Sequence, residues 1–166
     1  MMLRNMKMPW MMLLVLSLLS PASAWALDNA RALGDLEQVK TVYDVRKKSP
    51  EALAGYLEAI ITNHENLLKE EVEPELAMVF IAKAVKFITT EPRPEIAMNH
   101  QGALDRIAKA VAKLDELGVH MEACAAATRY YGVDNDTLLP QIEPVRSGFI
   151  SVMGYQNRGY ALVPVY

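Results

Sequence analysis

The amino-acid sequence predicts an α/β fold, a small three-layer sandwich with a mostly parallel sheet of about five strands and helices on both faces. Three observations carry this. Strand-like runs alternate with long amphipathic helical patterns, the order of β-α-β units. Leu76 to Ile81 is apolar at every position, as in a strand buried on both faces of a parallel sheet. Gln101 to Leu117 reads as a helix, and Gly118 alone separates it from the strand-like Val119 to Ala123, which makes a crossover between parallel strands.

Residues 1–26 read as an address. Arg4 and Lys7 precede the apolar run Trp10 to Leu19, Ser20-Pro21 breaks it, and Ala22-Ser23-Ala24 supplies small residues. The run is about half the length that a membrane span needs. We expect a signal peptide cleaved after Ala24 or Ala26, export to the periplasm, and one domain over residues 27–166. No cysteine lies near the cleavage site, which excludes a lipoprotein. Cleavage removes two cations and no acid, so the formal net charge moves from −3 to −5. That balance argues against nucleic acid or a membrane surface as partner.

The elements follow in order. Leu27 to Asp35 is mixed in character and reads as a loose arm. Val39 to Val45, rich in β-branched and aromatic residues, reads as the first strand, with Arg46-Lys47-Lys48 at its C-terminal end. Ser49-Pro50-Glu51 opens a helix as N-cap, first-turn proline and first-turn acid. Leu53, Tyr56, Leu57, Ile60, Ile61, His64, Leu67 and Leu68 mark its buried stripe. Glu70 to Pro74 reads as a turn before the buried strand. Ala82 to Ile88 reads as a short helix or turn, and Glu91-Pro92-Arg93-Pro94 as a loop. Leu104, Ile107, Ala108, Val111 and Leu114 form the inner face of the second long helix, which Gly118 ends. Cys124 closes the next strand, and Ala125 to Tyr131 is a short helix stopped by Gly132. Asp134 to Asp136 is an acidic turn. Ser147 to Met153 reads as a fourth strand, Gly154 to Arg158 as a turn, and Gly159 to Pro164 as a last strand. Tyr160 reads as a core residue.

Cys124 is the only cysteine in the chain, so no internal disulfide is available. It is either a small buried hydrophobe or a reactive thiol. At a strand-to-helix step the first-turn amides and the helix dipole favour a thiolate. Lys83 and Arg129 are the candidate supporting cations. Alternatives to a bare thiol lack their parts. A cysteine hydrolase needs a base, and His120 lies about 13 Å upstream along an extended strand. His120, Glu122 and Cys124 share one strand face at about 6–7 Å spacing, too wide for three ligands on one metal ion. A disulfide oxidoreductase needs a second cysteine. What remains is a thiol that accepts a group and passes it on, a binding or assembly module with a packed cysteine, or a small-ligand domain using the same sheet edge. None of these calls for a metal or cofactor.

The segment Cys124-Ala125-Ala126-Ala127-Thr128-Arg129-Tyr130-Tyr131-Gly132-Val133 resembles the active-cysteine segment of the DsrE/DsrF-like sulfur-relay family, including its TusD-type subunits. There a cysteine, small residues, an Arg and a Gly begin a helix. Val42-Tyr43-Asp44-Val45, the run Met78 to Ile81 followed by Ala84-Val85, and Tyr155 to Tyr160 are similar to the family's exported branch. The likeness spans essentially the whole mature chain, and the order of the motifs carries its specificity. Ala82-Lys83 departs from it, standing where relatives often have a more Gly-rich turn. The resemblance implies a DsrE-like domain with Cys124 as sulfur acceptor, a sulfurtransferase-like carrier holding sulfane sulfur as a persulfide. It also implies sulfur donor and acceptor proteins or small sulfur compounds as partners, and a homo- or hetero-oligomer.

Overall fold

The computed structural model describes residues 27–166; the signal peptide expected over residues 1–26 lies outside the described residues. A short exposed helix, α1 (Ala30–Leu33), stands within the expected arm. Then come β1 (Gln38–Val45), α2 (Pro50–Lys69), β2 (Glu73–Phe80), a 3-10 helix (Ala82–Phe87), α3 (Pro94–Glu116), β3 (His120–Cys124) and α4 (Ala125–Tyr131). A second 3-10 turn (Asn135–Thr137), β4 (Glu143–Val145), α5 (Gly148–Asn157) and β5 (Ala161–Val165) complete the chain. The strands form one five-stranded sheet in the order β4-β3-β2-β1-β5, parallel at every pairing. The expected α/β sandwich is the observed fold.

Strand order dictates where the helices lie. From β1 to β4 the chain steps in one direction, then returns across the whole sheet to set β5 beside β1. Right-handed crossovers in opposite directions put their helices on opposite faces. Accordingly, Asn63 of α2 donates to the Tyr43 hydroxyl (3.3 Å) on one face. On the other, Tyr155 of α5 donates to Glu122. Phe80, Leu53, Leu57, Met78, Ile107 and Leu114 are fully buried where α2 and α3 meet the sheet. Each contributes roughly 1.5–3 kcal/mol through lost apolar surface. Ser49 caps α2 as expected, accepting from the Ala52 amide (3.2 Å), with Pro50 in the first turn. His64 is buried on the same helix.

Four boundaries or assignments are corrected. Ser147 to Met153 is not a strand, and Gly154 to Arg158 is not a separate turn: α5 occupies Gly148–Asn157. Its inward residues Gly148, Val152 and Tyr155 follow helical spacing. Phe149, Ile150 and Met153 leave the outward face apolar as well, which hides the period. β4 lies where the sequence reading assigns no element; it is three residues long with Pro144 in the middle, which an edge strand tolerates. β2 starts at Glu73, inside the expected turn. Odd residues of β2 donate to β1, so Pro74 lacks its N–H only on the side that β3 has not yet reached. Lastly, α3 begins at Pro94, inside the expected loop, because proline fits the first helical turn. A kink at His100 (φ −136, ψ 20) separates that start from the periodic stretch.

Two of the residues that carry the backbone through left-handed geometry at the ends of elements flank the functional strands. Gly118 (φ +77) turns α3 into β3, and the non-glycine Ala82 (φ +57) leaves β2. A Cβ at Gly118 would meet nothing within 4 Å, so only backbone strain opposes a side chain there. Gly118→Ala is therefore expected to destabilise the protein by about 1 kcal/mol, and Ala82→Gly to stabilise it by up to about 1 kcal/mol. Urea denaturation at neutral pH measures both.

Candidate functional site

Cys124 ends β3 beside Val145 of β4 and serves as the N-cap of α4. Its backbone is extended (φ −70, ψ 108), its side chain makes no capping bond, and the first turn of α4 holds no acid. Gly132 (φ +66) ends the helix, and Arg93 Nη2 donates to the Tyr131 carbonyl there (2.8 Å). The strand-to-helix junction read from the sequence is thus present at the expected residues.

The thiol, however, is covered: Cys124 is 3% exposed. A Cβ placed on Gly148 would lie 2.8 Å from Ile81 Cδ1 and Cγ1 and 3.1 Å from Cys124 Cβ. The first residue of α5 therefore rests its backbone directly on the cysteine.

Lys83 and Arg129 are both exposed, whereas the cysteine is buried. Lys83 lines a cavity of about 400 Å³ with Arg46, Lys48, Tyr131 and Tyr166 at the C-terminal edge of the sheet. Arg46, which the sequence marked only as a strand end, lines the same cavity. Arg46 Nε holds both oxygens of Asp44 (2.8 and 2.9 Å), and its guanidinium lies 5.2 Å from the Phe149 ring. Its pKa is raised, chiefly by the bond to Asp44.

His120, Glu122 and Cys124 share the face beneath α5. Glu122 is 8% exposed and accepts from the Tyr155 hydroxyl (3.0 Å). His120 Nε2 stands 3.4 Å from Glu122 Oε1 and 4.0 Å from Glu143 Oε2. Burial first, then the Glu122 charge, pushes the Tyr155 hydroxyl well above the usual phenol range. Beside it, Glu75 pairs with Lys40 (2.7 Å) and accepts from Tyr160, and these partners, Lys40 foremost, hold its carboxyl below the usual range. Tyr160 is buried as expected. Reading residues 154–158 as a turn concealed the pairing of Tyr155 with Glu122. Among the described residues, no group of three or more His, Cys, Asp or Glu could hold a metal ion.

Comparison with known proteins places this geometry in context. The model of the DsrE/DsrF-like family matches residues 40–165. A solved structure of a protein of unknown function from Methanobacterium thermoautotrophicum is similar at 20% identity, with a TM-score of 0.54 over 76% of this chain and 97% of that one. The crystal structure of the ychN protein from E. coli is similar at 15% identity, with a TM-score of 0.50 over 77% of this chain and 100% of that one. At these identities the likeness concerns the fold alone. No curated protein matches the sequence significantly.

Two outcomes are expected. Gly148→Ala forces a methyl into Ile81 and Cys124 and costs about 1–3 kcal/mol. By pushing the first turn of α5 outward it also speeds alkylation of Cys124, which a mass-spectrometric time course follows. Tyr155, whose folded pKa is raised, contributes stability that is complete below its unfolded pKa of about 10 and is lost as pH rises above it. Tyr155→Phe should lower stability at neutral pH by about 1–3 kcal/mol, through the buried acceptor left behind, while making the alkaline limb of the pH–stability curve shallower.

Proposed function

The chain belongs to the DsrE/DsrF-like family, and from that premise we propose that it is an exported sulfur-relay protein that carries sulfane sulfur as a persulfide on Cys124. The observation that carries this reading is the placement of the only cysteine. It sits at the C-terminal end of a central parallel strand and at the start of a helix whose first turn holds no acid. In open α/β sheets ligands and chemistry gather outside the C-terminal strand ends.

In the proposed step the Cys124 thiolate attacks the terminal sulfur of a donor persulfide. A new S–S bond forms, the donor's S–S bond breaks, and the donor leaves as a thiolate, with no net oxidation. The same exchange, run toward the next thiol, unloads the carrier. A thiolate at the start of α4 stands where the unpaired first-turn amides of a helix favour an anionic sulfur. Because Cys124 is 3% exposed, loading requires the first turn of α5 to move aside. Closed, that turn shields a bound persulfide from water and stray thiols. Donor and acceptor are proteins or small sulfur compounds outside the cytoplasm, and an oligomeric assembly accords with the family reading.

The same burial favours a second reading, a binding or assembly module in which Cys124 is simply packed. Intact-mass spectrometry after incubation with polysulfide separates the two. The relay reading expects the mass of one added sulfur atom, absent in Cys124→Ser, with the fold retained. A native protein that gains no sulfur and resists alkylation at neutral pH leaves the packed cysteine. Export has its own check: the N-terminal residue of protein recovered from the periplasm is expected to be Trp25 or Leu27.

A further inference from the structure

Between β3 and α5, toward the N-terminal end of the strand and away from Cys124, lies an open cavity of about 460 Å³ lined in part by His120, Glu122, Tyr155, Arg158 and Tyr160. Glu122 is buried, with its side chain 11% exposed. A carboxylate offers about four acceptor sites, and the Tyr155 hydroxyl occupies one at Oε1. The other oxygen, Oε2, is buried with no hydrogen-bond partner among the described residues. Buried acceptors are rarely left open without a reason such as a missing donor. His120, at the rim, stands 3.4 Å from Oε1.

The opposite charge stands across a single tyrosine. The Arg158 guanidinium lies 5.6 Å from the ring centroids of both Tyr155 and Tyr160. Those rings fix one another edge to face at 4.9 Å. The charges of Glu122 and Arg158 both act on the Tyr155 hydroxyl, in opposite senses. Lys40 and Glu75 close on each other, and Arg158 is the guanidinium among the residues lining this cavity, with His120 at its rim. Its planar fork matches a carboxylate.

We propose that this cavity binds a small zwitterion with the chemistry of a free α-amino acid, Glu122 receiving the ammonium and Arg158 the carboxylate. An ammonium brings the donors that the Glu122 carboxylate lacks. The separation of the two anchoring charges is set by one tyrosine side chain, which suits a ligand whose own charges are a few bonds apart. Gly154 forms part of the cavity wall, and a Cβ there meets nothing within 4 Å, so the α5 side of the pocket stays open for the ligand. The site does not depend on chemistry at Cys124.

Isothermal titration of the chain lacking residues 1–26 with the free proteinogenic amino acids, and with methylamine and acetate as single-charge controls, tests this. At least one amino acid is expected to bind more tightly than either control. Glu122→Gln and Arg158→Gln should each weaken it roughly tenfold or more by removing one charge-assisted contact. Gly154→Leu, which improves helix propensity and fills open space, should abolish binding while thermal stability is retained. The proposal is overturned if no amino acid binds, if methylamine or acetate binds as tightly as the best amino acid, or if the folded variants bind as the unsubstituted chain does.

Discussion

The contact between Gly148 and the sheet governs both ends of the functional face. The return of the chain from β4 to β5 obliges α5 to cross the face opposite α2 and α3. Any Cβ at its first residue would collide with Ile81 and Cys124, so glycine is what permits the helix to lie this close. Once seated, the helix covers the thiol at its own start. Two turns later it delivers the Tyr155 hydroxyl to Glu122. Burial of the cysteine and completion of the polar cavity are thus consequences of one close approach.

The two faces of the sheet divide the work. Beneath α2 and α3 the packing is aliphatic and aromatic, with Leu53, Leu57, Met78 and Phe80 fully buried. Beneath α5 the strands carry charge: Asp44 and Glu122 are both buried. Removing carboxylates from water is costly unless partners meet them. Asp44 receives Arg46 from its own strand end, and Glu122 receives Tyr155 from the helix. One Glu122 oxygen has no partner among the described residues. The proposed relay cysteine and the proposed zwitterion pocket therefore share a face and a strand, at its opposite ends, under one helix.

Much of this was legible in the residues. The unbroken apolar run of β2 announces a parallel strand buried on both faces. Ser49-Pro50 and Gly118 mark helix limits through local hydrogen-bonding and φ requirements that need no tertiary partner. The junction at Cys124 is equally local, since strand, helix and Gly132 stop lie within one short segment. Helix α5 was not legible, because Phe149, Ile150 and Met153 give it an apolar outer face and erase the contrast that distinguishes a helix from a buried strand. Pro144 likewise hid β4, since whether a proline is tolerated depends on whether the strand lies at an edge.

Sequence alone determined the α/β class, the position of the only thiol at a strand end, and the alternation that sets His120, Glu122 and Cys124 on one face. These follow from periodicity and short-range backbone geometry, which each segment carries with it. Tertiary structure decided that Cys124 is covered, that Arg46 joins Lys83 at one cavity on the C-terminal sheet edge, and that Glu122, Tyr155 and Arg158 line another. Each of these depends on which strands are neighbours and on which face the last crossover lies. The order β4-β3-β2-β1-β5 is a property of the assembled sheet and is written in no single stretch of chain.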